Sequence, residues 1–145
     1  MATTIRQILN QKGWGVATLT KHQTIPDVAR FLTAQRIGAA PVVDERGAIV
    51  GMLSERDIMR FLGEIGGEIV HMTAENLMTK MVAHCSADDT ILDAMHMMTN
   101  RRCRHLPVLD DGTLKDLVSI GDVVKAQIEQ AKFEVDSMRT YITTA

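Results

Sequence analysis

A pattern of about 30 residues occurs twice in this chain of 145 residues. Residues 24–44 (TIPDVARFLTAQRIGAAPVVD) align with residues 90–110 (TILDAMHMMTNRRCRHLPVLD), and 8 of these 21 positions are identical. One residue is then lost in a turn, after which residues 52–57 (MLSERD) match residues 117–122 (LVSIGD). A repeated sequence of this kind predicts two similar structural units that pack against each other.

Each copy predicts the same order of elements, β-α-β-β-α, which is an α/β (α+β) fold. The first strand is predicted at residues 15–19 or 81–85, and an amphipathic helix follows, capped by Thr24 or Thr90. Two apolar runs joined by a Gly-containing turn then predict a hairpin, and a last helix is predicted to begin near Arg56 or Gly121. Since one copy of about 50 residues buries little surface, we expect the two copies to pack sheet to sheet around a shared core.

The repeat divides the chain into three parts. Residues 1–62 form the first repeat with an N-terminal helix, residues 63–79 form a linker with a short helix, and residues 80–145 form the second repeat with an extended C-terminal helix. The short helix is predicted because AENLMT in the linker is similar to TTIRQIL near the N-terminus.

Charge and composition exclude several classes of function. The net charge of −2 makes nucleic acid a poor candidate for the main partner. No apolar run approaches the roughly 20 residues of a membrane span, and the N-terminal residues lack the apolar core of a signal peptide. We therefore predict a cytoplasmic protein with no membrane partner. Cys85 and Cys103 form no disulfide framework and have no zinc-site spacing.

The closing motifs of the two copies resemble a known family. MLSERDIMR, RHLPVLDDG and LVSIGDVVKA are similar to the tandem CBS domain pair, or Bateman module, of stand-alone bacterial proteins. The resemblance implies two repeats related by pseudo-twofold symmetry, with two clefts between them that bind AMP, ADP, ATP, NAD(H) or S-adenosylmethionine. It also implies a disc-shaped homodimer that senses ligands without catalysing a reaction.

The first predicted nucleotide site is centred on Asp57, whose carboxylate can accept hydrogen bonds from two ribose hydroxyls. At the start of the same helix, Ser54 and Arg56 are predicted to face the phosphates, and the resemblance adds Arg104 and His105 from the other copy. The predicted adenine wall consists of Val16, Ala17, Ile37, Gly38, Ala39 and Ala40. The alternatives are that Ser54 and Asp57 only cap a helix, that the basic cluster is a solvated face, and that the wall residues are ordinary packing.

The second predicted site uses Ser119 and Asp122, with Val82 and Ala83 beside the base. It departs from the family pattern because Asp116 replaces the usual Gly at the start of the motif, where a charged side chain would crowd a ligand or repel phosphate. Lys12 is a further candidate for a phosphate contact, although a solvated lysine is the simpler interpretation.

The C-terminal helix carries a separate pattern. Its apolar residues repeat at intervals of 4 and 3, which is the heptad period of a helix that pairs with another. This seam consists of Val124, Ile128, Ala131, Val135, Met138 and Ile142. The seam is interpreted either as packing on the chain's own core or as pairing with a second subunit.

These features predict a non-catalytic regulatory module that binds an adenine nucleotide (AMP, ADP, ATP or NAD(H)) in the cleft between its repeats. It would sense energy or redox state and signal through its homodimer to an unknown effector protein. The only metal expected is Mg²⁺ accompanying ATP. The alternative is a structural or protein-interaction module with degenerate, unoccupied clefts. An enzyme is disfavoured because the sequence has no P-loop, metal-ligand cluster or paired nucleophile and base.

Overall fold

The computed structural model describes residues 2–80 and 82–144, and it contains the predicted β-α-β-β-α order twice. The first half consists of α1 (Ile5–Lys12), β1 (Leu19–Thr20), α2 (Ile25–Gln35), β2 (Ala39–Val43), β3 (Ile49–Ser54) and α3 (Glu55–Ile65). A 3-10 helix (Gly66–His71) and α4 (Ala74–Leu77) follow. The second half consists of β4 (Cys85–Ser86), α5 (Ile91–Arg101), β5 (His105–Asp110), β6 (Thr113–Ser119) and α6 (Ile120–Thr144).

The strands form two sheets of three strands with the same topology. In each sheet the short first strand runs parallel to the middle strand, and the middle and last strands form an antiparallel hairpin. The registers also correspond, since Leu19 pairs with Val42 in one sheet and Cys85 pairs with Val108 in the other. The mixed α/β class predicted from the sequence is therefore confirmed.

The two first strands are shorter than predicted. Strands were expected at residues 15–19 and 81–85, but β1 begins only at Leu19 and β4 only at Cys85, while Met81 lies outside the described residues. Gly13 has a φ of 94°, a backbone conformation that ends α1 and redirects the chain. The following residues line a cleft instead of pairing with β2.

The predicted helix caps are confirmed. The side chains of Thr24 and Thr90 accept hydrogen bonds from the backbone N–H groups of Asp27 and Asp93, each three residues further on. Caps of this kind contribute about 1 kcal/mol each because they satisfy N–H groups that the helix leaves unpaired.

The apolar residues form two cores, whereas the sequence predicted one shared core. One cluster contains β1 to β3, α2, the 3-10 helix and α4, and the other contains β4 to β6, α5 and the start of α6. The N-terminal helix belongs to the second cluster, where Ile5 and Leu9 are fully buried against residues such as Ile91 and Leu106. The sequence analysis assigned α1 to the first repeat, but in the structure α1 packs on the second.

Helices α1 and α4 are thus exchanged between the repeats in a symmetric way. The N–H of Ile5 donates to the carbonyl of Asp89 at 2.8 Å, and the N–H of Ala74 donates to the carbonyl of Gln23 at 2.9 Å. Each helix precedes one repeat along the chain and packs on the other. This exchange joins the two cores, and it determines which residues face each other across the clefts.

Among the residues that the structure describes, no helix combines the length and apolar character needed to span a bilayer.

Candidate functional site

One cavity between the repeats is lined by the start of α3 and by the segment that joins α5 to β5. Its volume is about 550 Å³, within the roughly 300–1,000 Å³ typical of small-ligand sites. Five arginines line it, so we call it the arginine cleft. They are Arg56, Arg60, Arg101, Arg102 and Arg104.

Asp57 lies in the arginine cleft, and the cap of α3 uses only one of its carboxylate oxygens. Its Oδ2 accepts hydrogen bonds from the Ser54 N–H at 2.9 Å and the Ser54 Oγ–H at 3.0 Å, and its own N–H donates to Ser54 Oγ at 3.2 Å. Its Oδ1 is 3.4 Å from Nη2 of Arg60. Ser54 and Asp57 therefore do cap α3, and the cap leaves Oδ1 beside Arg60 and able to accept a ligand hydroxyl.

The charge in the arginine cleft is strongly positive. Its five arginines are opposed by Glu55 and Asp57, which gives a net charge of +3 with His105 neutral. Two of the arginines come from α3 in the first repeat and three from the segment before β5 in the second. Guanidinium groups bind phosphate through paired hydrogen bonds, so this arrangement suits a polyanion.

The second cavity, which we call the aspartate cleft, has a volume of about 420 Å³ and is lined by Asp116 and Asp122. Oδ2 of Asp122 accepts from the Ser119 N–H at 3.0 Å and from Nζ of Lys12 at 3.1 Å. Burial favours the protonated form of Asp122, but these two donors outweigh it and hold the pKa of this carboxyl below its usual range. Lys12 also donates to the Leu117 carbonyl at 3.2 Å, so it closes one side of this cleft.

His105 lies on the wall between the two clefts and lines both. Burial lowers the pKa of its imidazole below 6.5, although the carboxylates of Asp122 and Glu55 act in the opposite direction. The charges of Arg104 and Lys12 lower the pKa further. His105 is consequently neutral at pH 7. Gly38 and Ala39 also line both clefts.

The predicted wall residues are exchanged between the two clefts. Val16, Ala17 and Ile37 were grouped with Asp57, but in the structure they line the aspartate cleft with Asp122. Val82 and Ala83 were grouped with Asp122, but they line the arginine cleft. The reason is the helix exchange: residues 16 and 17 follow α1, which packs on the second repeat, and residues 82 and 83 follow α4, which packs on the first.

Ala40 is fully buried in the first core and lines neither cleft, so it was misplaced as a wall residue. Ser54, Arg56, Arg104 and His105 lie in the cavity of Asp57, as the sequence grouped them. Three further arginines were missed as lining residues. Arg101 and Arg102 belong to the RRCRH cluster, and Arg60 follows Arg56 by one helical turn, so a search for charges at i+4 would have found it.

Asp116 takes up a position that a glycine fills in the first repeat. A Cβ on the matching Gly51 would lie 2.6 Å from Sδ of Met78 and 3.0 Å from the Thr79 carbonyl oxygen. On the second repeat, α1 continues to Lys12, and the segment that follows it contacts β6 through the side chain of Asp116. Asp116 fills the space, and its carboxylate accepts from the backbone N–H groups of Gly15 at 3.1 Å and Leu117 at 2.6 Å.

The heptad seam of α6 does not pack on the chain's own core. Val123 at the start of α6 is buried, whereas Ile128, Val135, Met138 and Ile142 are between 47% and 70% exposed. The interpretation that this seam covers the chain's own core is therefore wrong. Met59 on α3, the position that matches Val124, is 70% exposed as well.

Comparisons with known proteins agree with this architecture. The family model described as "CBS domain" matches twice, over residues 5–64 and 74–129. The mitochondrial CBS domain-containing protein CBSX3 of Arabidopsis thaliana is 30% identical over 97% of this chain and 72% of its own length. The CBS-domain protein ATU1752 of Agrobacterium tumefaciens has a solved structure with a TM-score of 0.84 and 36% identity, covering 86% of this chain and 99% of that one.

Two more distant solved structures share the fold and contain ligands. CBSX2, in complex with AMP, has a TM-score of 0.72 and 21% identity, covering 89% of this chain and 98% of its own. The CBS domain pair of MJ0100, in complex with methylthioadenosine and S-adenosylmethionine, has a TM-score of 0.74 and 23% identity, covering 90% and 99%. With two matches of the family model along most of its length, the chain belongs to the CBS-domain family as a tandem pair.

Proposed function

We propose that this protein is a non-catalytic regulatory module that binds an adenine nucleotide in the arginine cleft. The observation that carries the proposal is the convergence of one carboxylate and five arginines, drawn from both repeats, in a cavity of about 550 Å³. The carboxylate of Asp57 suits a ribose diol, and the arginines suit a phosphate chain. The complexes of CBSX2 and MJ0100 support an adenosine-type ligand in this fold.

In the proposed complex the ligand touches both repeats. The ribose would be held by Asp57, the phosphates by Arg56 and Arg104, and the base would lie against Val82 and Ala83. Val82 and Ala83 are assigned to the base because the structure places them in the arginine cleft. A charge of +3 favours di- and triphosphates over AMP, and NAD(H) carries a diphosphate as well. The module would accordingly sense energy or redox state.

Ligand binding would change the mechanics of the pair because each repeat has its own core. A nucleotide bridging Asp57 and Arg104 adds a link between the two units, and it reduces their relative motion. An effector protein that recognises the linked form would then read the nucleotide concentration. The cytoplasmic location predicted from the sequence stays a prediction.

We also propose that the protein forms a homodimer through α6. The exposed seam repeats every 3.5 residues, which is the geometry of two paired helices, and it leaves at least five large apolar residues facing solvent in the single chain. A twofold dimer would cover these residues on both copies at once.

An interaction module with empty clefts is the second candidate function. Two residues of the second repeat favour it: Asp116 replaces the glycine of the family motif, and Gly121 is uncharged where the first repeat has Arg56. Catalysis by the cysteines is disfavoured on physical grounds. Burial raises the pKa of the Cys85 thiol to about 12, and it also raises the pKa of Cys103, so neither is a thiolate at neutral pH.

A thermal-shift series tests the proposed function. Protein shown to be free of carried-over nucleotide is melted with AMP, ADP, ATP, NAD⁺, NADH and S-adenosylmethionine, beside the variants Asp57→Ala and Asp122→Ala. A ligand at 100 times its Kd adds about 2.7 kcal/mol, or roughly 5–10 °C for a domain of this size. A shift that Asp57→Ala abolishes supports the proposal, and the absence of any shift favours the empty-cleft module.

A further inference from the structure

The last part of α6 projects from the body of the protein. Gln130 still touches the N-terminal segment, since its Oε1 accepts from the Thr3 N–H at 3.4 Å, whereas residues 131–142 are all exposed. We call residues 131–144 the projecting helix. It is about 20 Å long, and an isolated helix of this length is marginally stable in water. It also lies beyond the second match of the family model, which ends at residue 129.

The seam of α6 has the residue types of a two-stranded parallel coiled coil. Its a positions in the heptad are Ile128, Val135 and Ile142, which are all branched at Cβ. Two of its d positions, in the projecting helix, are Ala131 and Met138, which are not. β-branched residues at a, combined with residues unbranched at Cβ at d, favour two parallel strands over higher oligomers.

The charges beside the seam also select an orientation. The e positions are all basic, namely Lys125, Lys132 and Arg139. In an antiparallel pair the e positions of the two helices face each other, so like charges would meet in every register. In a parallel pair each g position faces the e position of the next heptad, which brings Glu134 opposite Arg139 of the second copy.

A membrane surface fits the projecting helix less well than a second copy does. Helices that lie on anionic membranes have a polar face rich in lysine and arginine. Within residues 131–142 the charges of Lys132 and Arg139 are balanced by those of Glu134 and Asp136, so this part of the helix has no net positive charge.

We propose that residues 128–142 of two copies pair in register as a parallel coiled coil. The inference rests on the homodimer of the proposed function, and it does not depend on the nucleotide site. Since both α6 helices then begin at the same end of the coiled coil, the second repeats of the two copies lie together beside the twofold axis.

Cysteine cross-linking tests the orientation. Ile128→Cys and Ile142→Cys are each oxidised in a glutathione redox buffer and resolved on a non-reducing gel, with the wild type as the baseline for Cys85 and Cys103. In the parallel pair each new cysteine meets itself, so we expect most chains of both variants to become disulfide-linked dimers. Phe133→Cys, on the same helix but off the seam and 73% exposed, is the control and should stay at the wild-type level.

A charge substitution provides a second measurement. Glu134→Lys removes the pair with Arg139 twice in each dimer, and it should raise the dimer Kd about fivefold in sedimentation equilibrium. Adding Arg139→Glu restores opposite charges and should recover most of the loss. Glu129→Lys makes the same replacement away from the seam and should leave the Kd unchanged.

Two results would overturn the parallel orientation and keep the homodimer. One is cross-linking only in a mixture of Ile128→Cys with Ile142→Cys, as antiparallel helices require, and the other is equal cross-linking of Phe133→Cys. A wild type that is monomeric, including one that binds vesicles of phosphatidylserine and phosphatidylcholine as a monomer, would overturn the homodimer as well. ATP titration tests the nucleotide site separately from all of these outcomes.

Discussion

Arg36 and Arg102 lie 66 residues apart and have nearly the same left-handed backbone conformation, with φ/ψ of 55°/44° and 53°/43°. Each ends the first long helix of its repeat, at a position where glycine is the usual residue. A non-glycine residue there costs roughly 1–2 kcal/mol. Both arginines line clefts, and the proposed ligand binding would account for an arginine at this strained position.

We predict that Arg102→Gly stabilises the fold and weakens nucleotide binding. The glycine removes the left-handed strain at a smaller entropic cost, so the free energy of unfolding should rise by roughly 0.5–1 kcal/mol in urea denaturation. Affinity for ATP should fall about tenfold because one charged donor is lost. Arg36→Gly is the matched control, and it should give the same gain in stability with ATP affinity retained. A loss of ATP affinity in Arg36→Gly alone would contradict the division of the clefts.

A second prediction concerns the close approach of α4 to β3. Gly51→Ala should destabilise the protein by about 1–3 kcal/mol, because its Cβ would overlap Met78 and press on the Thr79 carbonyl, which accepts from Met52 N–H at 3.0 Å. Gly63→Ala is the control within α3. It has no atom within 4 Å of the new Cβ and should stabilise the helix by about 0.5–1 kcal/mol. Equal effects of the two substitutions in chemical denaturation would refute this packing argument.

The third prediction is a pH dependence caused by His105. Its pKa is lower in the folded protein than the 6.5 of an unfolded chain, because burial disfavours the imidazolium. Above pH 6.5 both states are neutral and the effect is absent. As the pH falls below 6.5 the unfolded state takes up the proton first, so stability is lost.

The melting temperature should therefore fall further between pH 7 and pH 5 for the wild type than for His105→Gln. His96→Gln, at an exposed position of α5, controls for the removal of any histidine and should follow the wild type. Identical pH profiles for the wild type and His105→Gln would show that His105 makes no such contribution.

A fourth prediction tests the dimer. Ile128→Lys and Val135→Lys place charges on the seam of α6 and should convert the dimer to a monomer in light scattering coupled to gel filtration. The neighbouring substitutions Glu129→Lys and Asp136→Lys introduce the same residue off the seam and should leave the mass unchanged. A wild-type protein that is monomeric at all concentrations, or seam variants that stay dimeric, would rule out this interface.

Local patterns accounted for the elements of the fold. The helices, caps and hairpins followed from spacing, turn residues and threonines such as Thr24 and Thr90, because these are properties of a few neighbouring residues. The exchange of α1 and α4 was not predicted, since the packing partner of a short amphipathic helix depends on contacts far along the chain.

The same exchange explains the error in the site. Ser54, Arg56 and Asp57 were grouped correctly because they share one helix start, and the RRCRH cluster pointed to Arg104 across the cleft. Val16 and Val82 were assigned to the wrong clefts because the path of the chain after α1 and α4 was not known.

The most direct test of the central proposal is a calorimetric titration of ATP into the wild type, Asp57→Asn and Asp93→Asn. Asp93 and Thr90 make the same two backbone capping contacts as Asp57 and Ser54, but Asp93 lies at the start of α5 and lines neither cleft. A nucleotide site at Asp57 predicts that Asp57→Asn weakens ATP binding at least tenfold while Asp93→Asn binds as the wild type does. Wild-type affinity in Asp57→Asn would contradict the proposal, and so would a wild type that binds neither ATP nor AMP, ADP or NAD(H).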